Sequence, residues 1–329
     1  MRQFLFLLLP VCACLAQPSP AEILIDAGHW KRARALVEVR IRENPNDALA
    51  NFLLSQIRNA FGDRSTPLPL AEKAVALDGR TAKYHRQVAE VLGVMAQRSG
   101  AIEQLFLARR FRKELDAALS LDPRDPQALR DLLEFYLLAP GIAGGDPAKA
   151  VPLAGRIGQI QPPLGFLAEA RIADLQKKPA ETEASLRKAV EAAPPNYGAR
   201  IALARFYLAR SYLDPAHFNP TAAETQAREA LTLDPTRVDA YAVLAEILTH
   251  HTLSTQGDWS QLESILAAAA SAVPDDLAPY YRAAQRLLTD RREQARAEHY
   301  LNVYLKQEPE GNEPPAAEAA AELAHIHGK

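Results

Sequence analysis

Along most of the chain, apolar residues recur at three- and four-residue intervals, the period of a helix with one buried stripe. Convincing alternation of period two is absent, so strands are not expected. Leu121-Asp122-Pro123 and Leu233-Asp234-Pro235 break this pattern in the same way, and Leu77-Asp78-Gly79 is a close variant. Taking a proline or glycine after each helical run as punctuation gives Pro45, Gly79, Pro123, Pro162, Pro194, Pro235, Pro274 and Pro309, spaced by 34, 44, 39, 32, 41, 39 and 35 residues. A proline there stops the helix before it, because it has no N–H and pushes the preceding residue out of helical geometry. Each interval holds two amphipathic helices.

The first helix of each interval carries an apolar or aromatic residue, an aliphatic three positions on, then a small residue. Tyr241-x-x-Leu244-Ala245-x-x-Leu248 shows it fully. His85-x-x-Val88-Ala89-x-x-Leu92, Leu129-x-x-Leu132-Leu133-x-x-Tyr136, Arg200-x-x-Leu203-Ala204-x-x-Tyr207 and Tyr280-x-x-Ala283-Ala284-x-x-Leu287 vary it. Near the end of the second helix, Ala74, Ala118, Ala189, Ala230 and Ala269 each precede an anchor by five residues, which suggests close helix contact at that level. Turn signals at Gly28, Gly62-Asp63, Gly144-Gly145-Asp146 and Gly257-Asp258 separate several of the paired helices.

These residues resemble the tetratricopeptide repeat, a helix–turn–helix unit of 34 residues. The resemblance runs from about residue 22 to 309 and is weakest over 163–194, where Ile172 replaces a small residue and Thr182 an alanine. It implies an all-α fold, a right-handed α-solenoid of about seven to eight helix pairs. Helices this short are marginal alone in water, so each pair must bury its apolar face on its neighbours. The expected organisation is a signal peptide over 1–16, a flexible start over 17–21, the array over 22–309, and a linker with a short C-terminal helix over 310–329. Departures from the 34-residue period are expected as a lengthened helix from Ala101 to Leu121, a loop over Ala139–Pro147 and an insertion over Asp214–Pro220. Ala316 to His327 reads as a terminal, cap-like helix.

The resemblance also places a binding groove on the concave face, lined by first-helix positions two, five, nine, twelve and thirteen. Position five gives Phe52, Arg86, Arg130, Glu169, Ile201, Ala242 and Tyr281; position nine gives Gln56, Glu90, Glu134, Ala173, Arg205, Glu246 and Gln285. The candidate partner-binding residues are Phe52, Lys83, Arg86, Arg130, Glu134, Ile201, Arg205 and Tyr281. Lys83, Arg86, Arg130 and Arg205 could form a basic lane for peptide carboxylates. Alternatively Glu90 and Glu134, one turn on, pair with Arg86 and Arg130. The asparagines of the family's chaperone-tail carboxylate clamp do not stand at these positions.

The N-terminus changes the picture of compartment. Met1-Arg2-Gln3 is followed by an apolar run from Phe4 to Ala16, too short to cross a bilayer and ending on a small residue, as a signal peptide does. Export through the inner membrane of a bacterium to the periplasm or beyond is expected, with cleavage after Ala16. Val11-Cys12-Ala13-Cys14 loosely resembles a lipobox, leaving a lipid anchor at Cys14 as the alternative. Cys12 and Cys14 are the only cysteines, so the remaining chain has neither disulfides nor thiolate metal sites. A net charge of −2 gives no global field favouring nucleic acid or an anionic membrane, and 15 glycines against 24 prolines disfavour Gly-rich nucleotide loops.

Chemistry is sparse. Ser185-x-x-Lys188 has the nucleophile–lysine spacing of penicillin-recognising enzymes, but the companion Ser-Asp-Asn and Lys-Thr-Gly elements are missing. Gly141 to Gly145 lacks the ending of a phosphate loop, and reads as a plain loop or as one that presents backbone N–H groups at a rim of the array. His250-His251 point about 100° apart on a helix, and His325-x-His327 sits at the chain end. Glu181/Glu183 and Asp275/Asp276 fit helix starts. The expectation is a non-catalytic, cofactor-free scaffold whose groove takes a protein or peptide partner, with a lipid-anchored assembly factor or a Ser185/Lys188 hydrolase as alternatives.

Overall fold

The structure is a computed structural model and describes residues 17–213, 218–250, 259–326 and 328, with residues 210–213 described by their backbone only. The expected signal peptide over 1–16, with Cys12, Cys14 and Ala16, lies outside the described residues. So do residues 214–217 of the expected insertion, His251, the Gly257-Asp258 turn and His327.

Among the described residues there are seventeen α-helices and no strand. They stack as eight pairs: α1 Pro20–Asp26 with α2 Trp30–Glu43, α3 Ala48–Ala60 with α4 Pro67–Leu77, α5 Ala82–Gln97 with α6 Ala101–Leu121, and α7 Pro126–Leu138 with α8 Ala150–Ile160. The second half continues with α9 Pro162–Leu175 and α10 Pro179–Ala192, α11 Tyr197–Leu213 and α12 Pro220–Leu233, α13 Val238–Thr249 and α14 Ser260–Ala272, and α15 Ala278–Thr289 and α16 Gln294–Tyr304. Helix α17, Ala316–Ile326, follows as a cap. The architecture is a right-handed α-solenoid in which most helices pack on their sequence neighbours, while α13 packs most extensively on α15 of the next pair.

Proline punctuation sets the helix ends with unusual regularity. Seven of the eight anchors stand two residues beyond the last helical residue, from Glu43 before Pro45 to Ala272 before Pro274. The intervening cap residue turns extended, as at Asp122 (φ −132°) and Asp234 (φ −152°), while its N–H still donates to the carbonyl four residues back. That is the geometry a following proline enforces. Prolines at the next helix start are tolerated because a first-turn N–H has no intrahelical partner anyway. Asp47 and Asp125 cap α3 and α7 by accepting from backbone N–H groups.

The small positions are closely packed contacts. Ala74, Ala118, Ala189, Ala230 and Ala269 are buried, as are Ala89, Ala204, Ala245 and Ala284 of the first helices. In the poorly matching 163–194 unit, close approach is made by glycine instead. A Cβ on Gly165 would lie 2.4 Å from the Gly158 Cα, so α8 and α9 cross with almost nothing between their backbones.

The glycine stretch corrects one expectation. Two 3₁₀ turns, Gly141–Ala143 and Pro147–Lys149, fold it tightly. The N–H groups of Ala143, Gly144, Gly145 and Asp146 donate to Pro140, Gly141, Pro140 and Tyr136 carbonyls. They are therefore spent inside the loop and cannot serve a ligand at the rim.

The eighth anchor departs from the rule. After Tyr304 the chain leaves the stack and crosses to the opposite end of the molecule. The Lys31 N–H donates to both carboxylate oxygens of Glu310, at 3.0 and 3.2 Å, and Arg34 grips Glu308 in a two-pronged pair. The Asn312 N–H donates to the Ala60 carbonyl at 2.8 Å, and Gly311 lies against Trp30 so closely that a Cβ would come within 2.7 Å of its ring. Arg32 adds an ion pair to Asp275 at 2.6 Å. The first and last helix pairs are thus tied together, and the array closes on itself. The chain then returns so that α17 covers the final repeat, where Ala319 is buried and Tyr281 donates its hydroxyl to Glu318 or Glu322.

Candidate functional site

First helices line the inner wall of this closed array, and the predicted groove residues fall on it unequally. Phe52 is buried, with its ring 5.2 Å from Tyr84. Ile201 is buried with Tyr197 against Ala230 and Ala240. Tyr281 has no exposed surface beneath α17. These three hold repeats together, which corrects the expectation that they present side chains to a partner.

The charged candidates stay at the inner surface but are already engaged. Lys83 lies over the Phe52 ring, and its ammonium sits 2.6 Å from Glu22 of the first helix. Arg86 stands between Glu90, at 3.8 Å on its own helix, and Asp131 of the next unit, at 3.4 Å. Glu134 takes two hydrogen bonds from Arg171, at 2.9 and 3.1 Å. The pair anticipated between Glu134 and Arg130 is therefore not made; Arg130 is exposed and donates to Gln127. Coupling runs from repeat to repeat as much as along each helix.

Enclosure shapes the acids of this wall. Burial raises the Glu90 carboxyl, opposed by Arg86 and reinforced by Asp131. Glu90 nevertheless keeps 42% of its side-chain surface in contact with solvent, so it is an enclosed but wet group. Burial likewise raises Asp131, against the pull of Arg86.

The second half of the wall forms a cavity of about 490 Å³, in which Arg205, Asp239, Glu246, Arg282, Asn312 and Glu313 converge. Arg205 pairs with Asp239 at 2.7 Å and Arg282 with Glu313 at 3.0 Å. The Glu246 carboxylate has neither a hydrogen bond nor an ion pair among the described residues; burial raises it, while Arg286, Arg282 and Arg205 oppose the shift. The cavity can receive groups of either charge, since the Arg205 and Arg282 guanidiniums and the unmatched Glu246 carboxylate all line it. Asn312 and Glu313 enter it from the returning linker, which nothing local in the sequence announces. Asp239 was legible, since it occupies position two of its helix. Arg282 follows a position-five residue and so falls outside the positions that the resemblance marks.

Where the linker crosses, carboxylates crowd. Burial pushes Glu310 up to about 7, with the Lys31 N–H and charge opposing. Burial raises Glu313 to about 7 as well, and Asp276, whose side chain accepts from the Ala278 N–H, to about 6. Asp276 behaves as the helix-start acid expected, whereas Asp275 also ties α14's end to α2. Glu183 accepts from Arg187 and from the Tyr207 hydroxyl rather than serving a helix start.

The serine–lysine pair is not assembled for catalysis. Ser185 and Lys188 share an open depression with Glu169 and Glu181, but among the described residues no hydrogen bond joins them. The Lys188 ammonium lies instead 5.9 Å from the Phe166 ring centre. No group of three His, Cys, Asp or Glu among the described residues is arranged to hold a metal ion. His250 is buried, 4.7 Å from the Phe218 ring.

The sequence matches no protein-family model and no curated protein. In structure the chain is similar to yeast Tom70, at a TM-score of 0.58 and 16% identity over 94% of this chain and 61% of that one, so it spans about three fifths of the Tom70 structure. It is also similar to TTC0263, a TPR protein of Thermus thermophilus, at 0.36 and 20% identity over 69% of this chain and 95% of that chain. A third is pilF of Pseudomonas aeruginosa, at 0.39 and 14% over 74% of this chain and 97% of that one. The Tom70 likeness shows the fold: a tetratricopeptide-type helical solenoid.

Proposed function

We propose that the protein is a non-catalytic scaffold, exported to the bacterial envelope, whose inner wall holds an extended segment of a protein partner. The observation that carries this reading is the cavity around Arg205, Glu246 and Arg282. It combines cations with an enclosed, unmatched carboxylate on a rigid repeat frame, which suits a polypeptide better than any small reactive substrate. Glu246 offers a place for a lysine or arginine side chain, and Arg205, more than half exposed, can turn spare N–H donors to a carboxylate or carbonyl. Export is supported by the Arg2 to Ala16 leader pattern; the lipid-anchored variant of the reading rests on Cys14.

The test is photo-cross-linking in the native envelope with reactive residues at Arg86, Arg130, Arg205 and Arg282. A discrete partner cross-linked from these positions, and not from Arg187 on the outer helix α10, is expected. Equal labelling from both faces, or none from within, would overturn the groove. Comparing fatty-acid labelling of the chain with that of Cys14→Ala decides between release and anchoring.

A further inference from the structure

Six large hydrophobic side chains among the described residues are more than half exposed, and five of them lie along one edge of the third and fourth helix pairs. Ile102 and Phe106 stand on the first turns of α6, Leu138 at the end of α7, Ile142 in the following loop and Val151 at the start of α8. Successive helices run antiparallel, so these termini share one edge. A small apolar cleft lined by Gly93, Ala96, Gln104, Ala108, Leu138 and Pro140 opens beside Leu138, on the opposite side of α6 from Ile102 and Phe106. A patch of this kind on a soluble domain marks a surface that something covers.

What covers it follows from shape and from the order of residues along α6. The cleft holds about 180 Å³, too little for a helix or strand, while Ile102 and Ile142 are about three quarters exposed. The surface is a set of protruding tips, not a groove. Ile102, Phe106, Arg109 and Lys113 share one face of α6, opposite the buried Ala108, Leu115 and Ala118. At about 1.5 Å per residue, Phe106 lies about 6 Å behind Ile102, Arg109 about 10 Å and Lys113 about 16 Å. Apolar groups that enter a bilayer interface sink roughly 5–10 Å, leaving basic residues at the level of the phosphates. Arg98 and Lys149 add positive charge at the same edge, against Glu103 and the Lys149-paired Asp146; Arg110 is neutralised by Glu72. No described helix is long and apolar enough to cross a membrane, so contact here is peripheral.

We propose that this edge is a docking surface for an anionic membrane, with Ile102, Phe106, Leu138, Ile142 and Val151 entering the interface and Arg109 and Lys113, set back along α6, meeting lipid phosphates. The inner wall stays open to its partner while the edge rests on the bilayer.

The test is co-sedimentation of the full chain with vesicles of phosphatidylglycerol and phosphatidylethanolamine, against vesicles of phosphatidylcholine alone. Partition into the anionic vesicles is expected to be about tenfold stronger and to weaken as salt is added. The combined variant Ile102→Glu, Phe106→Glu, Ile142→Glu, whose changes are all at exposed sites, is expected to lose about tenfold or more while keeping its helical circular dichroism. Arg109→Gln with Lys113→Gln is expected to lose much of the salt dependence. A control with Leu36→Glu and Val39→Glu on α2 carries new acids elsewhere, and is expected to bind as the unaltered chain does. Failure of the unaltered chain to partition, as a protein-covered patch would show, overturns the proposal. So does undiminished binding by the triple variant, or an equal loss in the control. Cross-linking from the inner wall reads the scaffold function separately, so either can fail without the other.

Discussion

Single residues set how closely the helices approach. At Gly165 the demand is strictest, because a Cβ would collide with backbone rather than with a side chain that could swing away. Gly165→Ala is expected to destabilise the protein by about 1–3 kcal/mol, read as a lower midpoint in urea unfolding. Ala230→Leu, at a fully buried position, is expected to cost a similar amount. A midpoint unmoved by either would mean that the helices are not in this register. The alanine positions were legible because they recur at fixed offsets from the punctuation. The Gly158–Gly165 crossing was not, since it replaces that pattern with a different pair of small residues in the unit that departs most from the repeat. Phe52, Ile201 and Tyr281 show the same limit from the other side. Their places on the first helices follow from the repeat pattern, but burial depends on what packs over them. For Tyr281 the cover is α17, a helix that reaches it only after the linker has crossed to α2.

At the level of elements, the proline rule was legible because it is local chemistry: one residue cannot donate, and it reshapes the residue before it. Helix starts follow local chemistry too. Asp47 caps α3 through the Ala50 N–H and also receives Arg40, so its carboxyl is lowered, with burial opposing the hydrogen bonds and charge that lower it. Asp47→Ala is expected to cost about 1 kcal/mol near neutral pH. The lowered folded value means that Asp47's contribution is present above the unfolded carboxylate range and is lost as pH falls through the folded value. The difference between variant and parent in thermal midpoint should therefore shrink in acid. A difference that stays constant to low pH would show that the charge of Asp47 is not what the helix start uses. The loop over Ala139–Pro147 was placed correctly by its glycines, yet its folding inward depended on the Tyr136 carbonyl and the Phe135 ring beneath Gly144, partners that its own composition does not name.

The closure of the array belongs to the whole molecule, and so was invisible to any reading of local pattern: Lys31 and Glu310 are 279 positions apart. It is also the part most sensitive to its surroundings. Gly311→Leu would drive a side chain into Trp30 and Ala60 and should open the ring. A larger radius of gyration in small-angle scattering, with faster amide exchange in α2, is the expected signature, and an unchanged radius would argue that the linker does not hold the ends together. Acid should act in the opposite sense. Glu310 and Glu313 titrate at about 7 in the folded chain and Asp276 at about 6, all above their ordinary values because burial disfavours the charged form. A raised folded value means that the folded protein holds protons which the unfolded chain has released. Stability is then fully present below the unfolded range near pH 4–4.5, and declines as pH rises through 6 and 7. For Glu310, whose side chain is almost wholly enclosed, the loss across that window is on the order of 2–4 kcal/mol. Below about pH 4 the carboxylates held low, such as Asp63 at about 2 and Glu308 beside Arg34, reverse the trend as they take up protons. The thermal midpoint should therefore peak in mildly acid solution rather than at neutrality. Glu310→Gln keeps an acceptor for the Lys31 N–H but no longer ionises, so it should flatten the decline between pH 5 and 8. If that variant keeps the parent's slope, the clasp is not where the protons are held.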